Sequence, residues 1–537
     1  MSEAAAVPSG IAERPSYFTT GWTGGHNPWA IALVVTMATF MEVLDTSIAN
    51  VSLPHIAGDL SVSQDESTWV LTSYLVSNAI VLPISGWLAS KVGRKRFYMT
   101  CVALFTISSF LCGIAPSLGA LIFFRVLQGI GGGGLGPSEQ AILADTFPPE
   151  KRGMAFAVYG MAVVMAPAIG PTLGGFITDN FSWRWVFFIN IPVGILSLIL
   201  SGRIVTDPPH LKLAKERTGS IDYVGLGLIA IGLGSLEYVL DKGQELDWFH
   251  SSAIVGFTLV ATATLLSFVV WEWNHEHPIV DVRMFKGRNF AASNIMMLTL
   301  GMSLYGSTVL LPLYQQSIMH YTAMQSGMAL SPGGVLIICL LPAVGVMVSR
   351  VDARKMIAFG FLVLSASMFY MTTHLYEGID FAMAVKLRMY QSVGMAFLFV
   401  PINTLVYSGV PLEKNNQVSG IVNLSRNMGG DIGIAFVTTL IARRAQFHQS
   451  NMSSGTNNYN PAFTYKLNAI TQGIQHTGAS ATDATKKALA AMYGQLVQQA
   501  TTLAFLDALK VLAIVTTLMI PLLLLTQKPK TGAAMGH

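Results

Sequence analysis

Charge is what this chain has least of. Asp, Glu, Lys and Arg together make up 11% of its 537 residues, less than half the roughly 25% of soluble globular chains. A string of soluble domains is thereby excluded. Cysteine is nearly absent as well. Cys101, Cys112 and Cys339 all fall in apolar blocks, so neither a disulfide scaffold nor a cysteine-based metal site is expected. No G-x-x-x-x-G-K-S/T loop occurs, which removes ATP hydrolysis by that route, and no H-E-x-x-H zinc motif occurs either. The net charge of +4 is too small for a nucleic-acid partner. A basic stretch followed by a short apolar core is missing before residue 29, so no cleavable signal peptide is expected and the first span is its own insertion signal.

What the chain has is apolar length. Hydrophobic residues make up 52% and come in blocks of about 20, enough to cross a core about 30 Å thick at about 1.5 Å per residue. Fourteen spans are predicted in the lipid bilayer, at roughly 29–51, 67–89, 98–115, 118–144, 153–178, 185–202, 221–240, 251–273, 290–316, 326–349, 355–374, 383–409, 417–441 and 501–525. An even number puts both termini on one side. That side carries 20 Lys and Arg in its loops against four, Arg184, Lys242, Lys386 and Arg388, on the other. Cytoplasmic loops are the basic ones, so both termini are expected in the cytoplasm.

The spans divide the chain into a cytoplasmic segment 1–28, a six-helix bundle 29–202, a two-helix insert with its flanking loops 203–289, a second six-helix bundle 290–525 and a cytoplasmic tail 526–537. The second bundle includes an extracytoplasmic connection 442–500, rich in Asn, Gln, Thr and Ala, with a polar helix open over 483–500, and read as a solvated spacer or a docking surface. A worn duplication is visible where Ser349-Arg350-Val351-Asp352-Ala353-Arg354-Lys355 echoes Ser90-Lys91-Val92-Gly93-Arg94-Lys95-Arg96. Internal repeats of this kind are how secondary transporters build a central site that opens to each side in turn.

Ionisable side chains inside spans are functional candidates by default. Glu42 and Asp45 stand three apart in span 1 and share a helical face. Desolvation disfavours their charged form, which makes them candidate proton carriers. Asp45 lies about 24 Å along an outward-running helix and Arg125 about 10 Å down an inward-running one. In a core about 30 Å thick their levels differ by only about 4 Å. An Asp45–Arg125 pair, or an exchange among Glu42, Asp45 and Arg125, follows, with a static pair that fixes helix packing as the plainer alternative. Glu139 is expected to reach the interface, and Glu237 and Glu272 to snorkel from span ends. Arg426 and Asp431, in span 13, are expected to pair or to meet neighbouring helices.

Three segments point to switching. Gly129-Ile130-Gly131-Gly132-Gly133-Gly134 formally fits a dinucleotide pattern. No strand precedes it, so close helix contact and bending are the better reading. Span 5 reads Ala166-Pro167-Ala168-Ile169-Gly170-Pro171-Thr172-Leu173-Gly174-Gly175. Its prolines kink the helix and its glycines, Gly170 and Gly174 among them, admit a neighbour, as a hinge and seal would. The loop from Gly86 to Arg96, with Gly93 and Arg94, reads as a clasp in which cations meet helix C-termini or a carboxylate.

Together these segments resemble the signatures of the major facilitator superfamily, and of its fourteen-helix drug:proton antiporter branch. Leu44-Asp45-Thr46-Ser47-Ile48-Ala49-Asn50-Val51-Ser52-Leu53-Pro54 resembles the branch's first-helix motif. Arg125-Val126-Leu127-Gln128-Gly129 resembles its fourth-helix motif, in which the arginine is implicated in proton transfer, and span 5 resembles its antiporter motif. Ser67-Thr68-Trp69-Val70, Leu246-Asp247-Trp248-Phe249, Pro278-Ile279-Val280-Asp281 and Arg288-Asn289-Phe290 are similar to stretches of EmrB-type multidrug exporters. Two departures stand out: Ser90 replaces the family's usual aspartate, and Ala166 a frequent glycine.

The resemblance implies an all-α membrane protein of the major facilitator fold, two six-helix bundles plus two extra transmembrane helices. It also implies export of amphipathic toxic compounds across the inner membrane, driven by the proton gradient without a cofactor or metal. Asp45, with Glu42 and Arg125, would couple protons to transport. Asn78, Gln128, Tyr305, Gln315 and Asn403 are expected to line the substrate cavity; Gly86, Gly93, Arg94, Gly170, Pro171 and Gly174 are expected to serve the switch. A periplasmic EmrA-like adaptor and an outer-membrane TolC-like channel are the implied partners. An exporter of one metabolite or siderophore stays open as an alternative, as does a non-transporting receptor or assembly subunit. No nucleophile–base or metal constellation suggests an enzyme.

Overall fold

Every element is helical in the computed structural model, which describes residues 21–209, 211, 222–376, 378–457 and 459–527. Most of the predicted terminal segments 1–28 and 526–537, and the loop cations Lys212, Lys215 and Arg217, lie outside the described residues. The long helices are α1 Pro28–Leu60, α2 Gln64–Val92, α3 Arg94–Gly113, α4 Leu118–Thr146, α5 Arg152–Asn180, α6 Trp185–Ile204, α7 Tyr223–Lys242, α8 Ser252–Asn274, α9 Arg288–Ser317, α10 Ala323–Met347, α11 Ala353–His374, α12 Phe381–Val406, α13 Asn415–Ser453 and α14 Ala481–Thr517. Their starts follow from local chemistry. Asn27 caps α1 with Pro28 at the first helical position, and Ser63 with Glu66, like Thr322 with Gln325, forms a reciprocal capping box.

Among the described residues twelve helices are long and apolar enough to cross a membrane, and α5 adds a thirteenth when its arms Arg152–Pro167 and Ile169–Asn180, bent by 42°, are taken as one. The bend falls at the prolines, which remove backbone donors. α13 has 39 residues, ample length to cross, but its Asn, Ser, Arg426 and Asp431 keep its hydropathy low.

α1 packs on α5, α2 on α4, α9 on α13, and α11 on α12 and α14. The two bundles meet along α2–α13 and α5–α10. α7 and α8 pair with each other, and α7 leans on α2 and α13. On α8, Leu259, Leu266 and Val270 are exposed, as suits a helix facing lipid.

Several expectations need correction. The connection 442–500 is largely exposed or half-buried, but it is helical over most of its length. α13 runs to Ser453, a helix Pro461–Gln475 follows, and α14 begins at Ala481. Arg444 Nε and His448 Nε2 meet Asp507 Oδ2 at 2.6 and 2.8 Å, and Lys466 Nζ donates to Gln495 at 2.9 Å. Ala and Gln are strong helix formers, and here they outweigh the Asn and Thr. Arg388 is not a loop flank but lies inside α12, buried. Glu237 does not snorkel; it is buried and hydrogen-bonded to Asp431, while Arg426 bonds to Tyr159 Oη at 2.8 Å. Arg426 and Asp431 thus meet neighbouring helices, the second of the two expectations, and do not pair with each other.

Candidate functional site

The first bundle encloses an ion pair. Ser117 caps α4, so Arg125 enters the interior two turns down, level with the middle of α1. Asp45 is 1% exposed and Arg125 0%. Arg125 Nη1 donates to Asp45 Oδ2 at 2.6 Å. Asp45 Oδ1 accepts from Gln128 Nε2 at 3.0 Å and from Asn190 Nδ2, on α6, at 2.6 Å. Arg125 also donates from Nε to the Val70 carbonyl at 2.9 Å and from Nη1 to Gln128 Oε1 at 2.8 Å. Its guanidinium lies 4.3 Å from the Tyr74 ring centroid and 5.6 Å from that of Phe187. Leu44, Ile48, Cys112, Leu121 and Phe187 form the apolar shell of this region.

Both carboxylate oxygens of Asp45 are thus engaged by donors. Two of these donors lie on Oδ1 and one on Oδ2, and a neutral Asp45 would leave Arg125 buried without its counter-ion.

Two more carboxyls continue towards the face that carries loop 90–96, called here the basic face. Glu42 Oε1 accepts from Tyr74 Oη at 3.1 Å and from Asn78 Nδ2 at 3.3 Å. Tyr74 thereby touches Arg125 with its ring and Glu42 with its hydroxyl. Glu139 is 0% exposed, enclosed by protein and not reaching out to an interface as the sequence suggested. Its Oε1 accepts from Thr36 Oγ1 at 2.5 Å, and its Oε2 is buried without a hydrogen-bond partner.

At the basic face the bundles are latched. Gly93 adopts φ +103°, a conformation that disfavours a side chain, and turns the chain into α3. Arg94, buried, pairs with Asp145 at 2.5 Å and donates from Nε to Asn416 Oδ1 of α13 at 2.6 Å. Asn415 Nδ2 reaches Asp145 Oδ1 at 2.7 Å, and Asn423 joins Tyr159 Oη at 2.9 Å and Gln140 at 3.0 Å. Ser90 accepts from Asn416 Nδ2 at 3.2 Å, so a neutral bond stands where the family's aspartate would sit. Gly86 lies against the Asn416 backbone; a Cβ there would come within 2.6 Å of its carbonyl oxygen. In α5, Gly170 and Gly174 lie against Ser47 and Ile48, the residues that follow Asp45, and Pro171 is exposed in the same stretch.

The chain matches the Major Facilitator Superfamily description over residues 35–434. The chain belongs to the major facilitator superfamily. It is 38% identical over 432 residues to the multidrug export protein EmrB of Escherichia coli K12, covering 80% of this chain and 83% of that one. It is 39% identical over 424 residues to the fatty acid resistance protein FarB of Neisseria gonorrhoeae, with 79% and 82% covered. Among solved structures, the proton:xylose symporter XylE superposes with a TM-score of 0.57 at 15% identity, over 79% of this chain and 91% of that one. This last likeness concerns the fold.

The remaining polar candidates do not gather at one place in this major facilitator protein. Asn78 and Gln128 belong to the charge cluster described above. Tyr305 packs over Gly430 at the α9–α13 contact. Gln315 Oε1 accepts from Ser326 Oγ at 2.7 Å, joining α9 to the start of α10. Asn403 is buried and donates back to the Phe399 carbonyl of its own helix at 2.9 Å. Asn190 and Tyr74 escaped the sequence reading. The signal for Asn190 was a lone amide in the apolar run Phe187-Phe188-Ile189-Asn190-Ile191-Pro192. Among the described residues no group of three or more His, Cys, Asp or Glu is placed to hold a metal ion.

Proposed function

We propose that this major facilitator protein is a proton-coupled antiporter that exports amphipathic toxic compounds across the inner membrane. The observation that carries this reading is the Asp45–Arg125 pair, sealed in an apolar shell and held at 2.6 Å. The names of its relatives, a multidrug export protein and a fatty acid resistance protein, supply the cargo class.

In the cycle we propose, the basic face is cytoplasmic, both termini lie there, and all fourteen long helices span. The latch around Arg94, Asp145 and Asn416 closes that face. A proton from outside neutralises Asp45, and Arg125 turns to its other partners, the Val70 carbonyl, Gln128 and the Tyr74 ring. The movement of α1 is passed to α5 through Ser47 and Ile48 against Gly170 and Gly174, with Pro171 at the bend. The latch then opens, Glu42 and Glu139 carry the proton on towards the cytoplasm, and cargo binds. Export follows as Asp45 regains its charge. An EmrA-like adaptor and a TolC-like channel would carry the cargo beyond the inner membrane.

Proteoliposomes with an imposed pH gradient test this reading. Dye movement that follows the gradient and collapses with an ionophore supports it. Movement of equal rate without any gradient overturns it.

A further inference from the structure

α12 holds a buried arginine that neither the proton cluster nor the latch uses. Arg388 is 8% exposed. Its Nη1 donates to Ser307 Oγ of α9 at 3.2 Å and to Gln391 Oε1 at 2.6 Å. Among the described residues its hydrogen-bond partners are these neutral groups, and no carboxylate forms an ion pair with it. Three buried polar atoms here have no hydrogen-bond partner: Arg388 Nε, Gln391 Nε2 and Ser392 Oγ. The i, i+3, i+4 spacing sets them on one face of α12. That face meets α10 at Gly333, where an added Cβ would come within 2.6 Å of Ser392 Oγ and 2.8 Å of Arg388 Cγ.

The register is informative. Counted from Leu118 in α4 and from Phe381 in α12, Arg125 with Gln128 and Arg388 with Gln391 occupy matching positions. In the first bundle α1 supplies Asp45 to the arginine; in the second, α9 offers Ser307. The second site has the cation and its amide but no anion. An uncompensated buried charge is costly and marks function by default. Nε and Nε2 can only donate, and a hydroxyl can donate as well, so the idle groups select an acceptor bearing negative charge.

We propose that Arg388, Gln391 and Ser392 form an anion subsite that binds the carboxylate of an amphipathic cargo. This deepens the efflux reading and rests on it. The same donors would accept a small inorganic anion such as chloride, and the test separates the two sources.

The experiment uses the purified full-length protein with a fluorescent medium-chain fatty acid and its methyl ester, in chloride or gluconate buffer. The wild type should bind the acid about tenfold or more tighter than the ester, as expected for a charge-assisted contact. Arg388→Gln should erase that preference, and Arg388→Lys should restore part of it. Ser307→Asp keeps the arginine but gives it an internal counter-ion, and should also erase the preference. Should Arg388→Gln fail to fold, Ser307→Asp decides alone. If chloride raises the melting temperature of the wild type but not of Arg388→Gln, while acid and ester bind alike, the anion site stands and the carboxylate cargo falls. No acid preference and no chloride effect in the wild type overturns the subsite, as does survival of the preference in both Arg388→Gln and Ser307→Asp. Gradient-driven dye efflux by the wild type is measured in parallel, so failure of the efflux reading is seen separately.

Discussion

Replacing Asp45 by Asn keeps the shape of the side chain and removes its charge. Arg125 then loses the Oδ2 contact at 2.6 Å, and the new amide nitrogen must face a donor, whichever way it is turned. Arg125 keeps the Val70 carbonyl, Gln128 Oε1 and the Tyr74 ring. Removing one partner of a buried pair costs about 3–5 kcal/mol, and these retained contacts place the expected loss near the lower bound. The size matters for mechanism. One elementary charge crossing about 100 mV releases about 2.3 kcal/mol, and each pH unit adds about 1.4. One proton can therefore supply what opening the pair requires. Asp45→Asn is expected to fold, to bind cargo, and to lose drug-stimulated proton release together with gradient-driven transport. Folding is followed by thermal unfolding in detergent, release with a pH dye, and transport in proteoliposomes. Adding Arg125→Gln should recover most of the lost stability without restoring transport. Wild-type gradient-driven transport by well-folded Asp45→Asn protein would refute the reasoning.

Other outcomes follow from the same geometry. Gly170→Leu should abolish transport while leaving the protein folded with a lowered melting temperature, because even a Cβ would lie 2.2 Å from Ser47 Oγ; normal transport would show that α1 and α5 do not move together. Gly93→Ala should cost about 1–2 kcal/mol, since φ +103° is left-handed backbone, read as a lowered unfolding midpoint. Asn416→Ala removes the acceptor at 2.6 Å from Arg94 and the donor to Ser90, and should speed labelling of cysteines introduced behind the latch. Asp281, in the loop after α8, is pushed up by burial but pulled below the usual carboxylate range by Lys414, 2.7 Å away, and Arg283. The stability of this contact is full above the ordinary Asp value of about 3.9 and is lost as pH falls through the lower folded value. Lys414→Met should therefore lower the melting temperature at neutral pH, with the difference shrinking below about pH 4.

Apolar block length made the helices legible, and helical rise alone put Asp45 and Arg125 at one level, where the structure has them 2.6 Å apart. What stayed hidden depends on helix rotation and on neighbours distant in sequence. Glu139 lies towards the basic end of α4, and distance along a helix cannot say whether Thr36 or the interface meets it. Glu237 has the same difficulty, since its partner Asp431 comes from α13, far along the chain. Only part of the helix in 442–500 is legible, because Asn and Thr suggest coil, while the contacts made by Arg444, His448 and Lys466 within the segment and to Asp507 hold it in helices. Arg388, within the predicted span 383–409, counts as a loop flank on the sequence because span edges are uncertain by several residues, enough to move a side chain from the interface to the interior.

The misplacement of Arg388 bears on how a duplicated scaffold divides its work. Two arginines in matching register, each beside a glutamine three residues on, show that both bundles can bury a guanidinium near the same depth. Only the first gives it a carboxylate, itself held by two amide donors, and two aromatic rings, so that cation and anion balance. In the second, Ser307 offers dipoles and no charge. A site that must be emptied and refilled by protons needs its own counter-ion, so that the pair can close when cargo is absent. A site meant to hold an anionic cargo gains nothing from an internal carboxylate, which would compete with every ligand. On the proposed reading, the asymmetry between Asp45 and Ser307 is what separates a proton site in the first bundle from a cargo anchor in the second.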